Sequence, residues 1–329
     1  MSNAVTTINY QNNHQIEVFI ISASWNATTL FDSTSHVMPK KISKLFQDIN
    51  LIDKTIIDFS KHNIDLVKEN VTIEKNNIKA KKEFLTIYKN TANHNETPLE
   101  TIKTLENLTN TFHKTIYDQV EQAINKDAII GLLGGDSSCS YPIINALIDY
   151  IPTFSILQLN AELHLEIPNA KTPYATQSIM SKILTDKNDI KRLVQVGSKH
   201  YTEAELTTIK KYKGQIKTFF QEDILKDLYL GKPWDSYCKK IINNTTDNIY
   251  ISIHANSLQP HYSSTTQSFS EASFTYDQLH YLIKQVSKSG KKIIGFDIVG
   301  IEDTDYLPDL HKMTQLLYTL SSCSWKTYQ

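Results

Sequence analysis

Glycine is scarce in this chain: 9 in 329 residues, beside 9 prolines. An enzyme built from strand–helix units normally needs more glycine in its active-site loops, where backbone turns tightly or approaches a ligand. Cysteine is scarcer still. Cys139, Cys238 and Cys323 are widely spaced and odd in number, which argues against a disulfide framework and for reduced thiols in a cytoplasm. Neither sign of charge dominates: 34 basic against 35 acidic residues leave a formal net charge of −1, so nothing favours nucleic acid or an anionic membrane as partner. No apolar run approaches the roughly 20 residues of a bilayer span. The opening M-S-N-A-V-T-T-I-N-Y lacks a basic region before an apolar core, so no secretory signal is expected.

What is present is enough for a core. With 40% hydrophobic residues, the chain can bury one large core or two smaller ones. Short apolar runs bounded by polar or glycine residues alternate with stretches of helical periodicity. Strands are expected at residues 17–22, 54–60, 128–133, 153–159, 192–197, 216–221, 248–254 and 292–299. Helices are expected around Ile42–Ile49, from Pro98 with Thr97 as cap, to about residue 150, at 176–184, from about 202, at 276–287 and at 310–320. Residues 61–95 read as helix plus solvated loop, and 259–273 as a polar loop. This alternation predicts an α/β fold with a doubly wound parallel sheet. No repeat, linker or compositional break divides residues 1–329, so one domain is expected.

The stretch D-A-I-I-G-L-L-G-G-D-S-S-C-S-Y, residues 127–141, anchors this reading. Its apolar run predicts a strand buried on both faces, Gly134 and Gly135 permit a tight turn, and Asp136 or Ser137 can cap the following helix. A capped turn without chemistry would look the same. In parallel sheets the carboxyl edge is where ligands sit, and there the sequence lines up Ser137, Asn160, Glu162, His164, Ser198, His254, Asn256 and Gly300. Alternate residues of extended backbone share a side, so Glu162 should point with His164, and His254 with Asn256. Imidazoles and a carboxylate on one edge are metal-ligand material; hydrogen-bonded histidines at exposed strand ends are the ordinary alternative.

Four segments, in this order, resemble the ureohydrolase family (arginase, agmatinase, formiminoglutamase). Gly134-Gly135-Asp136-Ser137-Ser138 is similar to the family's G-G-D-H-S, and Asn160-Ala161-Glu162-Leu163-His164 to its D-A-H-x-D. Residues Ser252 to Pro260, S-I-H-A-N-S-L-Q-P, resemble S-x-D-x-D-x-x-D-P. Gly295 to Gly300, G-F-D-I-V-G, resembles G-x-D-x-x-E. Val194 to Ser198 is similar to the family's V-G-I-R strand end. The resemblance implies a three-layer α/β/α fold around a central, mostly parallel eight-stranded sheet, as in arginases and deacetylases. It also implies two Mn²⁺ ions on four aspartates and two histidines, with a bridging hydroxide that attacks a guanidinium-type carbon.

All six ligand positions differ here: they are Ser137, Asn160, Glu162, His164, His254 and Asn256. Gly300 stands where the family's substrate-binding glutamate would be, and Tyr174 where its loop histidine would be. The framework residues Gly134, Gly135, Asp136, Ser252, Pro260 and Asp297 are retained. Clustered carboxylates tolerate one another only beside cations; with Glu162 the one remaining anion, such a pocket is stable empty. No cofactor is then expected, nor the hydroxide that metal would generate. Ser138 and Cys139 lie near the site, but neither a base nor an oxyanion hole can be assigned to them.

The expected function is therefore a ureohydrolase-fold protein that has lost dinuclear-manganese hydrolysis and acts in binding, regulation or as an oligomer partner. A homo-oligomer and a small amino-acid or guanidino ligand are the partners this implies. The alternative is a mononuclear enzyme in which Glu162, His164 and His254 hold one zinc or iron, two imidazoles and a carboxylate being a known ligand set. That reading requires a shifted segment, because in the family positions 162 and 164 serve different ions.

Overall fold

In the computed structural model, the described residues are 17–30, 33–151, 153–186, 190–258 and 273–329. The predicted strand residues Val18–Ala23 (β1), V-F-I-I-S-A, are buried throughout, and their side chains alternate between two cores. Val18 and Ile20 enter one apolar cluster, Phe19 and Ile21 the other. This is the period of two imposed by a pleated strand covered on both faces. Seven further strands join it: Ile64–Val67 (β2), Ile129–Gly134 (β3), Phe154–Leu159 (β4), Ile190–Ser198 (β5), Ile216–Phe220 (β6), Asn248–His254 (β7) and Lys292–Val299 (β8). Their order is β2-β1-β3-β8-β7-β4-β5-β6, and every pair is parallel.

The helices Met38–Asp48 (α1), Val71–Ala92 (α2), Leu99–Ile124 (α3), Ser140–Tyr150 (α4) and Ile179–Asp186 (α5) are divided between the two layers as their apolar stripes dictate. Met38, Ile42 and Phe46 of α1 pack into the first cluster; Phe84 of α2, Phe112 and Ile116 of α3, and Ile143 of α4 pack into the second. Glu203–Lys211 (α6), Gln221–Tyr229 (α7), Trp234–Ile242 (α8), Tyr276–Ser287 (α9) and Leu307–Lys326 (α10) complete the set. Burying each large aliphatic side chain contributes about 1.5–3 kcal/mol, so two continuous cores dominate the stability. No described helix is long and apolar enough to cross a membrane.

Three local expectations are corrected. Residues 54–60 form turns, not a strand; Ile56 and Phe59 are buried but Ile57 is 81% exposed, so the run never lies flat on a sheet. The second strand is β2, inside the stretch read as helix and solvated loop. It pairs with β1 alone and is only partly buried, and such a short, half-buried edge strand carries a weak pattern. Thr97 does not cap α3. Pro98 is the N-cap residue, without a side-chain cap bond, and the buried Thr97 hydroxyl has no hydrogen-bond partner. Helices α7 and α8 occupy a segment where the sequence reading placed no element.

Candidate functional site

The central strands β3, β8, β7 and β4 are consecutive neighbours, so their carboxyl ends bring residues 134–137, 299–300, 254–256 and 160–164 to one edge. The first of these ends is a structural turn. Asp136 accepts hydrogen bonds from Ser138 N (2.9 Å) and Ser138 Oγ (2.5 Å) on one oxygen. Its other oxygen accepts from Thr28 N and Thr28 Oγ1, both at 2.9 Å. Of the two candidate caps, Asp136 is therefore the one that starts the helix, and it also clamps the loop after β1. Gly135 is required because a Cβ there would lie 2.3 Å from the Trp25 carbonyl oxygen. Ser137 is buried beside this turn.

Neither neighbouring nucleophile is poised. Ser138 directs its hydroxyl at Asp136, and Cys139 donates its thiol to Trp25 O at 3.2 Å. Burial pushes the Cys139 thiol far above its ordinary range, with Asp136 adding to the shift. A thiol held protonated in this way is inert.

The end of β4 curls back on its own side chains. Asn160 Oδ1 accepts from Glu162 N at 3.0 Å, which turns Nδ2 toward His164 Nδ1 at 3.3 Å. Because an amide nitrogen only donates, His164 Nδ1 accepts and the ring proton lies on Nε2. That nitrogen donates to Glu162 Oε2 at 3.0 Å. Glu162 and His164 thus do meet, as their alternation predicted. The route is different, since His164 has φ +55°, in the left-handed region that side chains rarely adopt. The His164 hydrogen bond holds the half-exposed Glu162 carboxylate down to about 2.

His254, at the end of β7, accepts Asn256 N on Nδ1 at 3.1 Å. Burial, reinforced by nearby His164, lowers its pKa to about 4, so the ring is neutral with its proton on Nε2. The two imidazoles stand edge to face, 5.9 Å between centroids. Asn256 also reaches across to β4, where Oδ1 accepts from Ala161 N at 3.2 Å. Gly300 has φ +72°, and the His254 ring fills the space beside it. The edge is strapped by amide and imidazole hydrogen bonds.

This donor set does not fit a pair of divalent ions. It offers one carboxylate, two imidazoles, two amides and a hydroxyl against four positive charges. Both nitrogens of His164 and Nδ1 of His254 are already committed within the protein. The single-ion alternative through Glu162, His164 and His254 meets the same obstacle. Among the described residues no three His, Cys, Asp or Glu side chains are gathered as a metal site.

The residues read from the sequence as framework have structural work. Ser252 and Asp297 face each other in the β7–β8 register, and the buried Asp297 accepts from Ser252 Oγ and Tyr250 OH, both at 2.8 Å. Burial raises its pKa to about 6. Pro260 and residues 259–272 of the polar loop lie outside the described residues; Ser273 is buried and donates to Gly197 O at 2.5 Å. Tyr174 is turned to α3 and α4, packing on His113 and Tyr141 at 4.5 and 4.7 Å. Sequence reasoning missed Thr28 and Trp25, which hold the Gly134–Asp136 turn, although the polar loop after β1 was a visible signal. It also missed Glu205, whose carboxylate caps Thr202 N and Leu165 N.

Comparison with known proteins agrees with this fold. The family model described as Arginase family matches residues 17–306. No curated protein matches in sequence. Among solved structures, proclavaminate amidino hydrolase from Streptomyces clavuligerus superposes with a TM-score of 0.71 at 13% identity, covering 99% of this chain and 98% of that one. Agmatine ureohydrolase of Thermoplasma volcanium gives 0.68 at 14%, covering 99% and 96%. Formimidoylglutamase from Bacillus subtilis gives 0.66 at 15%, covering 98% and 92%. At these identities the structures speak to fold. The family match spans most of the chain and leads to one conclusion: this protein belongs to the arginase family.

Proposed function

We propose that this chain is an arginase-family protein that does not carry out dinuclear-manganese hydrolysis of guanidino or formimino C–N bonds, and that it works by binding, as a regulatory or oligomer-partner protein. The observation carrying this reading is the closed chain Asn160–His164–Glu162, with His254 and Asn256 bonded beside it. Catalysis of the family's type needs a metal-generated hydroxide, and metal ligands need free lone pairs on deprotonated donors. Here the lone pairs are engaged in hydrogen bonds and the negative charge is largely gone. A half-exposed Glu162 carboxylate, ionised down to low pH, remains suited to a small cationic group such as an ammonium or guanidinium. Self-association into a homo-oligomer belongs to the same proposal.

The experiment is metal analysis of the purified protein after growth with added manganese, zinc and iron. It is paired with assays for urea, ammonia and formamide release from arginine, agmatine and formiminoglutamate. We expect less than stoichiometric metal and no turnover. Two Mn²⁺ per chain, or turnover of any of these compounds, would refute the proposal. One stoichiometric zinc or iron would favour the mononuclear reading instead.

A further inference from the structure

Residues 50–60, between α1 and β2, cross α10 as an irregular strap with both ends fixed. Helix α1 stops at Ile49 in extended backbone, and Ser60 and Asn63 hold each other in a reciprocal capping box. Between these ends the attachments are few. Ile56 and Phe59 are buried in the first core. The Phe59 ring lies 5.6 Å from both Tyr318 and Trp325, and Tyr318 OH donates to Phe59 O at 3.0 Å. Lys284 of α9 pairs with Asp53 and donates to Thr55 Oγ1 at 3.0 Å. The same carboxylate accepts from Thr55 N at 2.8 Å, so one aspartate both shapes the strap and anchors it. Ile52 and Ile57 face away, 89% and 81% exposed. Beneath, Thr314, Tyr318, Ser322 and Trp325 follow one another at helical spacing and form one stripe of α10. It contains no aliphatic side chain, although a helix face buried in a core is normally apolar. Its hydroxyls bond to their own helix, Thr314 to Leu310 O at 2.7 Å and Ser322 to Thr319 O at 3.2 Å. Trp325 Nε1 is buried with no hydrogen-bond partner among the described residues.

We propose that residues 50–60 are a releasable cover, latched by Asp53 and Lys284, which opens as a unit and uncovers this stripe while the sheet stays folded. Local opening draws on segments with few buried apolar contacts, and in the strap only Ile56 and Phe59 are buried. The backbone bonds Ile56 N to Asp53 O and Phe59 N to Ile56 O lie within the strap and move with it. The stripe keeps its internal hydroxyl bonds when uncovered, Tyr318 OH exchanges Phe59 O for water, and the Trp325 indole gains the partner it lacks. An unpaired buried donor disfavours the closed state. The latch opposes it, because the buried Lys284 ammonium needs Asp53 as counter-charge only while the strap is closed. The chain thereby presents two alternative surfaces here: Ile52 and Ile57 when closed, hydroxyls beside two aromatic rings when open. None of these residues belongs to the strand-end cluster, so the inference holds whether that edge binds or catalyses.

The test is thiol labelling of the full chain carrying Ser322→Cys, a near-isosteric change at a fully buried position. The native thiols Cys139 and Cys238 are buried too and report opening of the whole molecule in the same sample. Peptide fragmentation assigns the label to each position, and each rate is referred to that of the urea-unfolded chain. Without denaturant, position 322 should label about tenfold or more faster than Cys139 and Cys238. Adding Asp53→Asn leaves the Lys284 ammonium unpaired in the closed state. It should speed position 322 by a further factor of about ten and leave Cys139 and Cys238 unchanged. Phe59→Ala removes an anchor by a different route and should act in the same direction. Labelling at position 322 no faster than at Cys139, with and without Asp53→Asn, overturns the proposal, because the cover then comes off only on global unfolding. Equal acceleration of all thiols by Asp53→Asn overturns it as well, and so does a rate at position 322 that Asp53→Asn leaves unchanged.

Discussion

The imidazole of His254 stands where a side chain on residue 300 would begin: a Cβ built on Gly300 would meet its Cε1 at 2.1 Å and its Nε2 at 2.2 Å. His254 and Gly300, which the sequence resemblance sets at two site positions of the family, thus form one packing solution. An aspartate at 254 is shorter and leaves room for a residue with a side chain at 300, whereas the ring does not. Because His254 is pinned through Nδ1 to Asn256 N, it cannot swing aside without breaking that bond.

Gly300→Ala should accordingly destabilise the protein by about 1–3 kcal/mol, the usual range for overpacking, and Gly300→Glu by at least as much. In a His254→Ala background the steric part disappears and only the cost of left-handed backbone, about 1 kcal/mol, remains. Urea unfolding of the two single variants and the double variant measures the coupling. Equal costs for Gly300→Ala in both backgrounds would show that the ring does not confine residue 300.

Charge decides whether the edge accepts cations. A variant carrying Ser137→His, Asn160→Asp, Glu162→His, His164→Asp, His254→Asp and Asn256→Asp restores the family's donor set. Without metal its four carboxylates repel one another, so its apo form should melt below the parent. Added Mn²⁺ should then raise its Tm by several degrees, since binding at 100 times Kd is worth about 2.7 kcal/mol. The parent should show no such rise. A Mn²⁺-dependent shift in the parent equal to that in the variant would contradict the electrostatic account.

The pH dependence follows from groups whose folded and unfolded pKa values differ. His254 is lowered to about 4 and His113 to about 3, in both cases chiefly by burial. Their unfolded values lie near 6.5. Below that pH the unfolded chain takes up protons that the folded chain refuses, so their contribution is full above about 6.5 and is lost as pH falls. Asp297, raised to about 6 by burial, acts with opposite sign: its penalty is present above 6 and relieved toward 4. Among these three groups, two histidines against one aspartate contribute a net slope of about one proton, about 1.4 kcal/mol per pH unit. Their contribution to the unfolding free energy should fall between pH 6 and 4, and His254→Asn should lower the slope of that interval by about one proton. Glu162, held at about 2 by His164, adds a further loss only below about 4.5. An unchanged slope in His254→Asn would remove this ring from the account.

Much of this architecture was legible because its physical signals are local. Residues 248–254, 276–287 and 292–299 were bounded correctly as β7, α9 and β8, where buried apolar runs or a capping residue (Thr275, with Gln278) mark the ends. The strand-end cluster was legible from parallel topology alone, since every βα unit delivers its polar residues to the same edge. What was not legible depends on tertiary context. Edge strand β2 is only four residues long and partly buried. Thr28 reaches Asp136 across 108 positions of chain. The left-handed turn at His164 has no glycine to announce it, and the fit of His254 against Gly300 is visible only once β7 and β8 are neighbours. The scarcity of glycine proved informative in one respect: Gly135 and Gly300 stand where close approach to a carbonyl and to a ring excludes any side chain.

His113 offers the sharpest separation of packing from polarity. Its ring lies 5.1 Å from Tyr141 in a near-parallel stack and 4.5 Å from Tyr174 edge to face, so its aromatic body is well used. Its Nε2 is buried with no hydrogen-bond partner, and an orphaned polar atom of this kind costs on the order of 1–3 kcal/mol. His113→Phe keeps the ring contacts and removes the orphan, and should therefore be neutral or stabilising by about 1 kcal/mol at pH 7. Because the histidine's acid-induced loss disappears with it, the gain should grow as pH falls from 6.5 to 4. His113→Ala removes the ring as well and should cost about 2–4 kcal/mol, as large-to-small changes in a core do. Urea unfolding of both variants at pH 7 and pH 5 measures this. A destabilised His113→Phe at both pH values would mean that the imidazole nitrogen, and not the ring face, is what this aromatic cluster requires.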